Sequence, residues 1–204
     1  TQNKGAIRFG LAAIKGVGEV AVEAIIKARD EGGKFKNLSE LCERVDTRTV
    51  NKKSLESMIK CGACDCFGET RASMFASIER VMARASEIAR DRLQGQSSMF
   101  GMMEENAPTK KKESVAQLPE WPQHELLAHE KELLGFYVTG HPLDDYRPLL
   151  ESSKYTPIAR LGELEDKSTP TNAGALTSVE KKFTKKDSKP FAVVIIEDLT
   201  GPLE

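Results

Sequence analysis

Gly10-Leu11-Ala12-Ala13-Ile14-Lys15-Gly16-Val17-Gly18-Glu19 is the stretch on which the reading of this chain turns. Its first six residues make a short apolar helical turn. Glu19 to Arg29 then carries apolar residues at Val20, Ala21, Ala24, Ile25 and Ala28, the spacing of one helical face. Gly32-Gly33 ends that helix. Between the two helical pieces lies a tight turn with glycine at 16 and 18. Glycine lets backbone approach a partner with no Cβ in the way. The N–H groups of Val17, Gly18 and Glu19 open a helix and therefore point, with the helix dipole behind them, at any anion placed there. Lys15 adds a formal positive charge.

Helix, glycine turn, helix is the helix-hairpin-helix, a unit that grips DNA phosphates without reading bases. A plain helix–helix connection uses the same residues, so the motif needs support. Further along, Asn37 or Ser39 caps a short helix bearing Leu38, Leu41 and Val45, and Asn51 caps another through Leu55, Met58, Ile59 and Lys60. Cys61-Gly62-Ala63 breaks that helix. Thr70 caps the longest one, about 71–93, with Met74, Ile78, Val81, Ala85 and Ile88 at three- and four-residue steps. This is a second hairpin around Gly62. Paired hairpins suit a duplex, so Lys60 and Gly62 join Lys15, Gly16, Val17, Gly18 and Glu19 as candidate DNA contacts.

Beyond the long helix the pattern changes. Gly95 to Met103 is not helical, and Glu104 to Leu118 is polar, with Pro108 and Lys110-Lys111-Lys112, as in a flexible linker. Helical spacing returns over Gln123–Leu134, and a loop at Gly140-His141-Pro142 leads to a short helix, Leu143–Leu150, which Asp144-Asp145 would cap. From Asn172 the period becomes two, and Phe191–Ile196 is β-rich. The expected organisation is mainly α: a tandem helix-hairpin-helix domain over 1–94, a peptide and linker over 95–120, a helical connector over 121–170, and a partial antiparallel β segment over 171–204.

Net charge is -1, from 30 basic and 31 acidic residues, which excludes a globally basic coat of the histone type. The balance is local, however. Residues 1–60 carry 12 basic and 8 acidic groups, residues 104–170 carry 8 and 13, and five lysines crowd into 181–189. No run approaches the roughly 18 apolar residues of a membrane span, and residues 1–10 lack a secretory layout, so a soluble, cytoplasmic chain is expected. Cysteines stand at 42, 61, 64 and 66. The run Cys61-x-x-Cys64-x-Cys66 resembles the start of a metal site, but His124, His129 and His141 are all far downstream for a fourth ligand. Three free thiols in a helix–loop–helix are the plainer expectation, with no metal.

Two further segments are candidates for binding. In Gln96-Ser97-Ser98-Met99-Phe100, Met99 and Phe100 suit a hydrophobic pocket while Gln96 hydrogen-bonds backbone at its rim; alternatively, the two apolar residues tuck back on the helices. Between the strands, Lys181, Lys182, Phe183, Lys185, Lys186 and Lys189 suit single-stranded nucleic acid, though lysines at a strand edge also serve against aggregation. No catalytic constellation is present: His141-Pro142-Leu143-Asp144-Asp145 lacks a nucleophile pattern, and there is no Gly-rich Walker loop.

Ile7-Arg8-Phe9-Gly10-Leu11-Ala12-Ala13-Ile14-Lys15-Gly16-Val17-Gly18 resembles the bacterial C-family replicative polymerases, the DNA polymerase III alpha subunits. So does Glu132-Leu133-Leu134-Gly135-Phe136-Tyr137-Val138-Thr139-Gly140-His141-Pro142-Leu143, in the same order. Residues 35–51 and 54–67 resemble the segments between. The resemblance implies an internal fragment that runs from the last strand of the fingers through the tandem hairpins and a clamp-binding peptide into an OB-fold. It implies duplex held by the hairpins, and the sliding clamp held by Gln96, Ser98, Met99 and Phe100. Single-stranded DNA would pass near Lys181, Lys182, Lys185, Lys186 and Lys189, and other replisome subunits would be partners. Mg2+ and the catalytic aspartates belong to the palm of that family, which is absent here, so neither a catalytic residue nor a cofactor is expected. Cys61 and Cys64 stand where the family has Ala and Phe, which looks like core variation. An OB barrel stopping near its third strand is expected to be weakly stabilised. The alternatives are a helix-hairpin-helix scaffold of a DNA repair complex, and a cysteine–metal module.

Overall fold

A computed structural model describes residues 9–93, 117–152, 154–185 and 187–204. Two units divide at Tyr137–Val138, inside the stretch expected to be a single connector.

In the first unit a 3₁₀ turn, Leu11–Ala13, precedes α1 (Glu19–Gly32), α2 (Leu38–Arg44), α3 (Lys52–Lys60), α4 (Arg71–Leu93) and α5 (Gln123–Leu134). Local chemistry places the boundaries. Asn37 accepts a hydrogen bond from the N–H of Glu40 at 2.8 Å and so caps α2. Asn51 does the same for α3, taking the Ser54 N–H at 3.0 Å, and Thr70 caps α4, taking the Ser73 N–H at 3.2 Å. At the other end, Gly33 closes α1 at φ 77°.

These helices share one core. α1 contributes Ala21, Ile25 and Ala28; α2 contributes Leu38, Leu41 and Cys42; α3 contributes Leu55, Met58 and Ile59; α4 contributes Met74, Ile78, Val81 and Ala85. Leu55, Ile59 and Met74 are completely sealed from solvent, and each such side chain is worth roughly 1.5–3 kcal/mol of apolar burial. The core positions recur every three or four residues along each helix, so one stripe per helix faces inward and most charged residues lie outward, with Arg71 and Glu130 the buried exceptions. Phe9 meets Phe136 edge to face, ring centres 5.0 Å apart.

The second unit holds a 3₁₀ turn at Asp144–Tyr146 leading into α6 (Arg147–Leu150), and another 3₁₀ turn at Ile158–Glu163. Strands β1 (Ala175–Phe183), β2 (Pro190–Glu197) and β3 (Pro202–Leu203) follow. The sheet is antiparallel in the order β1-β2-β3, with Leu176 opposite Ile196 and Phe183 opposite Pro190. A register shift falls between Leu176 and Ser178, as at a bulge. Asp144 does not cap α6: its carboxylate accepts from the His141 N–H at 2.6 Å and from the Arg147 guanidinium at 2.8 Å. No helix among the described residues is long and apolar enough to cross a membrane.

Candidate nucleic-acid interface

The first hairpin turn is held from below by α3. Gly16 sits at φ +90°, and a Cβ there would stand 3.0 Å from Ser57 Oγ. The Ser54 hydroxyl donates to the Gly16 carbonyl at 3.3 Å. Both contact and conformation demand glycine at 16. Val17 and Ile14 are buried and anchor the turn in the core; the Val17 N–H returns to Ile14 O at 3.1 Å, and the Lys15 N–H donates to Leu133 O at 2.9 Å.

Above that anchor the start of α1 is bare. Gly18 caps it with no side chain. Ala21 and Val22 both donate to the Gly18 carbonyl, at 3.0 and 3.2 Å, whereas the N–H groups of Gly18, Glu19 and Val20 find no acceptor among the described residues. These exposed donors, with Lys15 beside them, form a seat for an oxyanion. Unlike Gly16, Gly18 has an ordinary φ of -76°, and a Cβ there would touch nothing within 4 Å. Its openness serves approach to the seat rather than backbone strain.

The second hairpin is built differently. Gly62 lies at φ +84°, with the Arg71 side chain packed where its Cβ would be. Arg71 is buried and donates to Asp65 at 2.9 and 2.7 Å, to the Lys60 carbonyl at 3.2 Å and to Glu130 at 3.0 Å. Burial works against its charge, but the hydrogen bonds it donates to Asp65 and Glu130 outweigh that and push its pKa up. Lys60 lays its ammonium over the Phe75 ring, 5.2 Å from the centroid. Thus Gly62 faces the interior of the domain, and Lys60 is engaged with an aromatic ring.

At the tip of the β1–β2 hairpin, Lys182 pairs with Glu180 at 2.9 Å and Lys189 with Asp187 at 2.8 Å. The Lys189 ammonium, followed by the Thr184 hydroxyl, holds the Asp187 carboxyl below the usual carboxylate range. Lys181 and Lys185 are exposed and make no ion pair among the described residues. Phe183 is 68% exposed beside them, so the tip offers a bare aromatic face together with two unpaired cations. Lys186 lies outside the described residues, as do Gln96, Ser98, Met99 and Phe100.

Cys42, Cys61 and Cys64 are core side chains, and only Cys66 is exposed. Burial pushes the Cys42 thiol up to about 12 and raises Cys61 and Cys64 as well. Buried neutral thiols of this kind act as small apolar residues. Among the described residues no three His, Cys, Asp or Glu side chains are grouped to hold a metal ion.

Three residues at the turns carry no signal in the sequence of their place there: Lys53, whose Cε lies 4.0 Å from the Cβ position of Gly16, and Arg71 with Glu120, whose carboxylate accepts from the Arg71 N–H at the second hairpin. Lys53 carries no motif, and Glu120 reaches its contacts from about fifty residues away, so no local signal marks either.

Residues 1–74 match the helix-hairpin-helix motif family. Along nearly its whole length the chain is also similar to DNA polymerase III subunit alpha. It is 40% identical to that of Vibrio cholerae serotype O1 over 206 residues, which is 99% of this chain. It is 37% identical to that of Escherichia coli K12 over 203 residues, 98% of this chain, and 36% identical to that of Borreliella burgdorferi over 199 residues, 97% of this chain. In each case the chain spans about 17% of the relative's length.

Proposed function

We propose that this chain, a homologue along nearly its whole length of one stretch of DNA polymerase III subunit alpha, holds duplex DNA by its backbone within a replicative polymerase. The observation that carries this reading is the bare start of α1 behind Gly16-Val17-Gly18, with unsatisfied N–H donors and the exposed Lys15 just before the turn. Such contacts are indifferent to sequence, which is what an enzyme copying any template requires. The parent activity is template-directed DNA synthesis, and its Mg2+ serves the palm; no residue of this chain is assigned to it.

Two finer parts belong to the same proposal. Gln96, Ser98, Met99 and Phe100 bind the sliding clamp, with Met99 and Phe100 as pocket anchors. The sheet of the second unit is the first part of an OB-fold that takes single-stranded DNA across Phe183, Lys181, Lys182, Lys185, Lys186 and Lys189. The protein works in the cytoplasm beside other replisome subunits.

Fluorescence anisotropy of labelled duplex and single strand, with and without the cognate clamp, tests the whole. Duplex affinity should fall steeply with salt, because counterions are released on binding. Replacing Met99 and Phe100 together with alanine should weaken clamp binding by more than about tenfold and leave duplex binding in place. Duplex binding with no clamp binding would favour a repair scaffold instead. A chain that ignores duplex DNA would remove the proposal.

A further inference from the structure

The two hairpins offer different surroundings to an anion, and the difference begins with Glu120. Glu120 places its carboxylate on the first amides of α4, accepting from the N–H of Arg71 at 2.8 Å and of Ala72 at 3.1 Å. These are the donors that a phosphate would use at that helix end. Burial disfavours the charge of Glu120, yet the N–H donors of Arg71, Trp121 and Ala72 hold its carboxyl below the usual range.

Glu120 is held there by a strap, Leu118 to Trp121. The Leu118 N–H donates to Ser73 Oγ at 2.8 Å, and the Thr70 hydroxyl donates to the Leu118 carbonyl at 3.0 Å. The Trp121 ring stands edge to face against Phe75 and His129, at 5.5 and 5.2 Å. Asp65, with its side chain 48% exposed, and exposed Glu69 lie in the loop before α4. Together with Glu120 they make this end repel a phosphate.

At the first hairpin the balance shifts toward positive charge, with Glu19 the acidic residue on the first turn of α1. Lys53, on the first turn of α3, brings its Cε to 4.0 Å from the Cβ position of Gly16. It is exposed and has no ion pair among the described residues, whereas its neighbour Lys52 is tied to Glu79 and Glu56. The Lys53 ammonium is one bond beyond that Cε, next to a turn that already carries Lys15.

We infer that the hairpins divide their work: the second uses its helix end to hold the strap through Glu120, and the duplex phosphate falls to the first hairpin, where Lys53 joins Lys15. This rests on the duplex-binding reading above and makes Lys53, rather than Lys60 or Gly62, a DNA contact.

Salt titrations of duplex affinity, run on the complete chain, separate the possibilities. Each lost phosphate contact lowers the slope of log affinity against log salt by about one. Lys53→Ala and Lys15→Ala should each do so, with a several-fold loss of affinity, while Lys60→Ala and Lys52→Ala keep the wild-type slope. Trp121 is the chain's only tryptophan, so acrylamide quenching of its emission reports whether the strap is seated. Quenching should be equal in free and duplex-bound protein, and should rise in Glu120→Ala. A slope unchanged in Lys53→Ala, a slope lowered by Lys60→Ala, or quenching that rises to the Glu120→Ala level on adding duplex overturns the division of work. If Lys15→Ala also leaves the slope unchanged, the duplex-binding reading falls with it; if Lys15→Ala lowers it and Lys53→Ala does not, only the role of Lys53 is lost.

Discussion

Arg71→Met should destabilise the first unit by about 3–5 kcal/mol, the usual cost of stripping one partner from a buried ion pair. Glu130 is completely sealed from solvent, and the Arg71 guanidinium lies 3.0 Å from its carboxylate. Without Arg71 that partner is lost and the Lys60 carbonyl loses a donor. The Asp65 arm matters less, since Asp65 is 48% exposed and water can replace its partner. Thermal or urea unfolding of Arg71→Met, Glu130→Gln and the double variant checks the account. The double variant should recover part of the loss, because it removes the desolvation cost of both buried charges together with their attraction. Strictly additive losses would mean the pair does not act as a unit. The pair also explains Gly62: it leaves the space that the Arg71 side chain fills.

The second unit should depend in the same way on Asp198. Its carboxylate accepts from the N–H of Ile158 at 2.7 Å, from the N–H and hydroxyl of Thr200 at 2.6 Å each, and from the N–H of Gly201 at 3.1 Å. One buried side chain therefore ties the start of the Ile158–Glu163 turn to the β2–β3 connection. Asp198→Ala should cost about 3 kcal/mol or more, given the strength of hydrogen bonds to a charged acceptor. Burial pushes its pKa up, but the Thr200 hydroxyl and the three N–H donors prevail, and the carboxyl sits below its ordinary value. The stabilisation is thus present above the ordinary carboxylate pKa near 4 and is lost as pH falls through the lowered one. Amide hydrogen exchange at Ile158 and along β2, followed from pH 7 toward pH 3, should show protection collapsing at the acid end in the wild type. In Asp198→Ala protection should be weak at both ends. Equal protection in the two proteins would remove Asp198 from this role.

Both residues mark where the sequence stops being readable. The helices were legible because their signals are local: Asn37, Asn51 and Thr70 sit one residue before the helices they cap, and the apolar stripe of α4 repeats within its own length. The glycine turn at 16–18 was legible for the same reason. The period-two stretch revealed β1, though the strand starts at Ala175 rather than Asn172; the Asn172 side chain donates instead to the Thr156 carbonyl. By contrast, Arg71 meets Glu130 from 59 positions away and Asp198 meets Ile158 from 40. An arginine or aspartate in a sequence reads as surface, and only the partner brought by the fold reveals otherwise. Lys53 was missed in the opposite sense: its charge was visible, but its place beside the turn at Gly16 depends on how α3 packs. The Gln96–Phe100 peptide rests on its motif and on the resemblance that accompanies it.

The central claim is that the bare start of α1 receives a duplex phosphate, and Gly18→Asp tests it most directly. A Cβ at Gly18 touches nothing, and its φ is open to any residue. Aspartate is moreover a good cap, so stability should hold or rise by a few tenths of a kcal/mol. As a cap, the new carboxylate would accept from the N–H of Val20 or Ala21, as Thr70 accepts from Ser73 on α4, and would set a negative charge beside the bare donors at the start of α1. Measured by anisotropy on labelled duplex at fixed low salt, Gly18→Asp should bind at least about tenfold more weakly than wild type, from a lost contact and an added like charge, with an unchanged or higher melting temperature. Wild-type affinity in a stably folded Gly18→Asp protein would contradict the claim.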